Sequence, residues 1–305
     1  MGWGWGMIGA ALALVAAAPA VDPAIRAWAF IGLNGADTRP DDTTMQLLPG
    51  TTATFTAATI RDMGHAVDWF PAAHAPPPAV VAGRGGATMA CGYCHLAGGD
   101  GRVENASLAG LPADYIRAQV AAFAAGTRTS AAPDYLPAKL MAQVAKTVAP
   151  ADVAAAAAYF TATPFRTHVR VVEAATIPAT VPGRFVLVRA GEGTEPIAGR
   201  IVEMPDDVDA FEKRDPRVTY TAFVPPGSLR AGAAVAGRIG CAGCHGAGMK
   251  LWGAGRSPTY IVRQLLAFRS GARHDADAAP MTAVAAQLSD RDMVAVAAYW
   301  GSLKP

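Results

Sequence analysis

The chemistry of this sequence is concentrated in two five-residue stretches, Cys91-Gly92-Tyr93-Cys94-His95 and Cys241-Ala242-Gly243-Cys244-His245, which together hold all 4 cysteines of the 305-residue chain. C-x-x-C-H is the spacing of covalent c-type haem attachment. Two thiols one helical turn apart each form a thioether with a haem vinyl group, and the adjoining histidine faces the iron. Other uses of paired cysteines explain less. A single zinc site would have to join pairs from opposite halves of the chain and has no need of the trailing histidines. A thioredoxin-like redox pair wants a strand before it, which the flank Ala-Thr-Met-Ala does not offer. A disulfide within each pair leaves the histidines without a task.

An iron held by one imidazole has a sixth position, and its occupant sets the chemistry. Methionine sulfur gives a low-spin, electron-transferring iron with a raised potential, because a soft thioether favours the reduced metal. An open position would admit oxygen or peroxide instead. Met141 follows His95 by 46 residues and Met281 follows His245 by 36. Each stands after an amphipathic helix and just before a terminal one, on a segment read as a loop able to fold over the other haem face. His95, Met141, His245 and Met281 are therefore the expected axial ligands, with Cys91, Cys94, Cys241 and Cys244 as attachment points. Met89 and Met249 lie too near the proximal motifs to round the haem easily. His65 and His74 are the residues that would displace Met141 if the first iron served catalysis.

The elements that must position these residues come in two matching sets. In the first, a helix opens at Pro112 and closes before Gly126 with Ile116, Val120 and Phe123 on one face, and an Ala-rich helix runs from Pro150 through Tyr159-Phe160. Setting Tyr115 on Tyr260 also aligns Gln119 with Gln264, Phe123 with Phe268, Gly126 with Gly271 and Arg128 with Arg273. Farther on, Met141 meets Met281 and Asp152 meets Asp292. Matches in this order across motif, helix, methionine and terminal helix indicate internal duplication.

The two units resemble class I cytochrome c domains, and their tandem arrangement is similar to the exported diheme cytochromes c of the c-four type. The resemblance rests on the two C-x-x-C-H motifs, on SLAGLPADYIRAQVAAF with GAGRSPTYIVRQLLAF, and on the stretches from Met141 and Met281 to Tyr159-Phe160 and Tyr299-Trp300. It covers about half the chain. It implies small helical domains whose first and last helices cross, and one-electron traffic between a quinol-oxidising complex or dehydrogenase and a terminal oxidase. In the usual family a proline carbonyl orients the proximal imidazole; Ala106 and Leu251 stand at that place here.

The expected fold class is mainly α: two tandem cytochrome c domains, 81–163 and 230–305, with a small β-containing insertion at 164–229. VRVVEA at 169–174, RFVLV at 184–188 and YTAFV at 220–224 read as its strands. Residues 21–80, rich in Pro, Thr and Ala, read as an irregular N-terminal arm. Residues 1–20, whose apolar run ends in Ala18-Pro19-Ala20, read as a signal peptide and hence export to the periplasm, an uncleaved anchor being the alternative. A net charge of +2 without a basic block sets aside nucleic acid. Gly191–Asp215 carries eight acids against three bases, whereas Arg230–Arg273 carries seven bases and no acid. That contrast fits either solvated faces or a basic face that docks a redox partner. The functional expectation is a periplasmic diheme electron carrier with two covalent haem c groups, redox-protein partners, possible peripheral membrane association and no catalytic residue. The alternatives are a diheme peroxidase-like enzyme and a dedicated subunit of a membrane redox complex.

Overall fold

A computed structural model describes residues 21–33, 41–85, 88–251 and 253–305; the segment read as a signal peptide lies outside the described residues. The N-terminal segment carries more order than its composition suggests. Helix α1 (Pro23–Ala29) has Pro23 in its first turn, and the Asp22 carboxylate accepts from Ala24 N at 2.7 Å. It delivers Ile25, Trp28, Phe30 and Ile31 into the largest apolar core, alongside residues of the insertion and of the second haem unit. A short antiparallel pair, β1 (Met45–Leu47) and β2 (Thr54–Thr56), leads into α2 (Ala57–Arg61). Trp69, buried nearby, donates its indole N–H to Lys213 O at 2.8 Å and so fastens the arm to the insertion.

The first haem unit comprises α3 (Ala79–Ala82), α4 (Cys91–His95), α5 (Ala113–Ala125), α6 (Leu136–Thr147) and α7 (Pro150–Ala162). Local signals set the limits of α5: Pro112 stands at its N-cap, and Gly126 leaves it in the left-handed conformation that favours glycine. The segment carrying Met141 is a helix rather than the expected loop. Pro137 sits in its first turn, and the run LPAKLMAQVAKT is made mostly of helix formers. The opening helix of this unit is only a single turn, bounded by Pro76-Pro77-Pro78 before it and by Gly83, at a φ of +102°, after it.

Between the units, β3 (Val169–Glu173), β4 (Thr176–Pro182), β5 (Leu187–Pro196), β6 (Val202–Pro205), α8 (Val208–Glu212) and β7 (Tyr220–Val224) form two sheets. One has the order β3-β7-β6, with β3 parallel and β6 antiparallel to β7; the other is the β4-β5 hairpin. Sequence periodicity finds β3 and β7 well, places β5 too early, and misses β4 and β6.

The second unit holds α9 (Ser228–Ile239), α10 (Ala242–His245), α11 (Pro258–Arg269), α12 (Ala279–Ala285) and α13 (Asp290–Ser302). Ser289 and Asp292 cap α13 reciprocally. Helices α9 and α13 cross at Gly232, where an added Cβ would overlap the Ala295 carbonyl. The insertion is tied to this unit by Glu203 of β6, which accepts from Ser257 Oγ at 2.7 Å and Thr259 N at 3.1 Å at the start of α11. Among the described residues no helix is long and apolar enough to cross a membrane.

Candidate haem sites

Cys91, Cys94 and His95 occupy the single turn of α4, so their side chains emerge within one helical repeat. That turn lies tight against the chain: a Cβ at Gly92 would stand 2.7 Å from Ala66 Cβ and from the Val81 carbonyl. All three side chains line one cavity, together with Met141 of α6, Met89, and apolar residues such as Ile116, Val120 and Phe160. Burial pushes the Cys91 thiol up to about 11, with the neighbouring Cys94 adding to the rise. Zinc takes thiolate, so a thiol held protonated by burial does not suit a zinc site.

The His95 imidazole is fixed from behind. Its Nδ1 is 2.7 Å from the Ala106 carbonyl oxygen, which can only accept, so Nδ1 carries the proton and Nε2 keeps its lone pair. Burial holds the His95 pKa below the ordinary value, with the Ala106 hydrogen bond opposing that shift. Gly99, in the same loop, gives passage to Phe160 of α7, whose ring carbon would be 2.7 Å from a Cβ there.

The second unit builds the same device with a shorter loop. Cys241 begins the turn that Ala242, Gly243, Cys244 and His245 complete, and His245 Nδ1 faces the Leu251 carbonyl oxygen at 3.4 Å. Ala106 and Leu251 thus supply the backbone carbonyls behind the His95 and His245 rings. Trp300 of α13, the repeat partner of Phe160, packs edge-on to His245 with centroids 4.5 Å apart. Its indole N–H donates to Met249 O at 2.6 Å, and Gly253 leaves room for its ring. Met281 lies on α12, again a helix and not a loop; it and Cys241 pack against the same core. Met249 is buried in that core.

The remaining candidates are otherwise engaged. His74 contacts the Tyr159 hydroxyl at 3.0 Å and Asp68 at 3.4 Å, and His65 is exposed; neither lines the cavity of the first motif. The basic run of the second unit is not a continuous outer face. Arg256, Arg263 and Arg273 turn inward onto backbone carbonyls or glutamines, while Arg269 pairs with Asp290 and Arg238 with Asp292.

Sequence reading aligned the two repeats but missed that their aligned residues meet. Arg128 and Arg273 pair in an antiparallel bridge, flanked by Thr129 N to Ala272 O at 2.7 Å and His274 N to Thr127 O at 2.9 Å. Arg256, Tyr260, Arg263 and Gln264 of the second unit line the cavity of the first motif as well.

No protein-family model matches the chain. Cytochrome c4 of Pseudomonas aeruginosa is 37% identical over 79 residues, which are 23% of this chain and 39% of that protein. Cytochrome c-554(548) of Halomonas halodenitrificans is 42% identical over 81 residues, 24% of this chain and 98% of that protein. The matched stretch therefore spans well under half of the first relative and nearly all of the second. Among solved structures, reduced cytochrome c4 from Pseudomonas stutzeri is similar at a TM-score of 0.44 with 21% identity, covering 70% of this chain and 93% of that one.

Proposed function

The chain belongs to the diheme, cytochrome c4-like family of class I cytochromes c and binds two covalent haem c groups, and from that premise we propose that it is a periplasmic carrier of single electrons. It would take them from a respiratory dehydrogenase or quinol-oxidising complex and deliver them to a terminal oxidase. Haem iron, alternating between ferric and ferrous states, supplies the storage of one electron at each site.

The chain's own residues do the rest. Cys91 and Cys94 fix the first haem, and Cys241 and Cys244 the second. His95 and His245 would each offer an imidazole nitrogen to the iron, and the backbone carbonyl behind each ring sets its tautomer and raises its basicity. Met141 and Met281 are the thioethers that would hold the two irons, and soft sulfur there would favour the reduced metal. The supporting observation is the single cavity that gathers Cys91, Cys94, His95 and Met141, with the His95 ring locked by Ala106. Such a site needs no general acid or base, and none is assigned.

The test is an anaerobic reductive titration of the purified holoprotein. Uptake of two electrons per chain, fast exchange with a soluble cytochrome and no turnover of peroxide support the carrier. High-spin iron that binds and consumes peroxide overturns it in favour of an enzyme.

A further inference from the structure

The arm and the insertion, the parts outside the resemblance, meet over the first haem motif and enclose a second cavity of about 610 Å³. Small-molecule sites run to roughly 300–1,000 Å³, so this space has the size of a ligand chamber. It is walled by α2, by the start of α6 and by α8 with the residues that follow it, and it shares Cys94, Glu104, Asn105, Pro137 and Leu140 with the haem cavity. A group bonded to the Cys94 sulfur therefore borders the chamber.

The lining is divided in character. The chamber is lined by five basic residues and by Glu104, Asp209 and Glu212; of the bases, Arg61 pairs with Asp42 and Lys213 with Asp209. Arg214 is the centrepiece: its guanidinium stacks 3.6 Å above the Tyr93 ring and donates to Tyr93 O at 2.6 Å and Ile60 O at 3.2 Å. These partners are carbonyls, so its charge meets no carboxylate among them, and burial draws its pKa down, with Arg102 adding to the effect. Arg102 is itself buried beside Glu104, with Nε 3.2 Å from Oε1. Yet neither that Nε nor Glu104 Oε2 has a hydrogen-bond partner. Toward solvent the lining turns apolar, with Leu33, Met63 and Val208 exposed by 49%, 40% and 44%. These three side chains line the same cavity as Arg102 and Arg214, so apolar and basic groups converge on one space, as they do in small-molecule sites.

We propose that this chamber binds a small organic anion with a flat or aliphatic apolar body, its anionic group turned toward Arg102 and Arg214 and its body against Leu33, Met63 and Val208. The occupant sits beside the Cys94 edge of the first haem, within the protein's own electron-transfer site. The inference rests on the haem reading only for that adjacency.

The experiment is equilibrium dialysis of the oxidised holoprotein against anthraquinone-2-sulfonate at low and high salt, with methyl viologen as the cationic comparison. Saturable binding of one molecule per chain, weakened by salt and not competed by methyl viologen, is expected. The double variant Met63→Glu and Val208→Glu places two negative charges at exposed positions and should weaken binding at least tenfold. Arg214→Gln should abolish it, but that side chain also joins three segments, so the exposed pair is the decisive variant. No saturable binding, or binding unchanged in the double variant, overturns the site. Haem content measured on the same samples tests the family reading separately, since a chain with two haems and no binding loses only this inference.

Discussion

Arg128 and Arg273, at matched positions of the two repeats, each donate to the same two glutamine oxygens. Gln119 Oε1 accepts from Arg128 at 2.6 Å and Arg273 at 2.8 Å; Gln264 Oε1 accepts from them at 3.0 and 3.2 Å. Arg128 also reaches the Tyr260 hydroxyl at 3.1 Å, and Arg273 bonds Tyr115, so each arginine engages the tyrosine of the other repeat. The pattern is isologous, as in a two-fold dimer, but within one chain. Each guanidinium also stacks on the phenylalanine of its own repeat, at 4.7 Å for Phe123 and 4.1 Å for Phe268. Two like charges are thereby held side by side in a buried interface without a shared carboxylate.

Replacing either glutamine should loosen that interface. Gln119→Leu leaves a donor on each buried arginine without its acceptor and should cost about 2–3 kcal/mol. Gln264→Leu should cost a similar amount, and the double variant less than the sum, because both act on the same pair of arginines. Guanidinium denaturation of the holoprotein, followed by far-UV dichroism, measures all three.

The α9–α13 crossing makes a paired prediction from two glycines of one helix. Gly232→Ala forces a Cβ onto the Ala295 carbonyl and should destabilise by about 1–3 kcal/mol. Gly237→Ala meets nothing within 4 Å and should stabilise by up to about 1 kcal/mol through helix propensity. Thermal melts of the two variants should move in opposite directions.

Glu203 gives a pH dependence. Burial raises its pKa above the ordinary 4.5 despite the donors Ser257 and Thr259. The folded chain therefore keeps this proton over a range where the unfolded chain has released it. Stability contributed here is full below about 4.5, falls as pH rises toward the folded-state pKa, and is level beyond it. Glu203→Gln keeps an acceptor oxygen but cannot ionise, so its stability should be flatter over that window and higher than wild type at neutral pH. A melting series against pH in both proteins provides the check.

The proximal support of the first haem can be disturbed without touching a ligand. Gly101 has a φ of +73° and a Cβ there would stand 2.7 Å from Ala106 O, the acceptor for His95. Gly101→Ala should displace that carbonyl, lower the basicity of the imidazole and raise the potential of the first haem while leaving the second unchanged. Potentiometric titration resolves the two.

What the sequence made legible was local. The haem motifs are compact five-residue units. The limits of α5 follow from Pro112 and Gly126, and Ala106 and Leu251 stand where the resembling family carries a proline. What it hid was either tertiary or short. Helix α1 has seven residues, and its ordering comes from burying Ile25 and Trp28 among distant elements. Strand β5 runs through Gly191 and Gly193 with most of its residues exposed, so no alternation marks it. The helix that carries Met141 is hard to read from sequence because the stretch after Pro137 has no strong boundary signal. The meeting of Arg128 with Arg273 was invisible because alignment pairs residues in sequence without showing that they touch.

We propose that Met141 and Met281 are the sulfur ligands that would hold the two irons together with His95 and His245. The most direct test is the weak near-infrared charge-transfer band of thioether-ligated ferric haem, recorded for the wild type, for Met141→Ala and Met281→Ala, and for the double variant. The account predicts the band in the wild type, about half its intensity in each single variant and none in the double variant. An undiminished band in either single variant, or its absence from the wild type, would contradict the assignment.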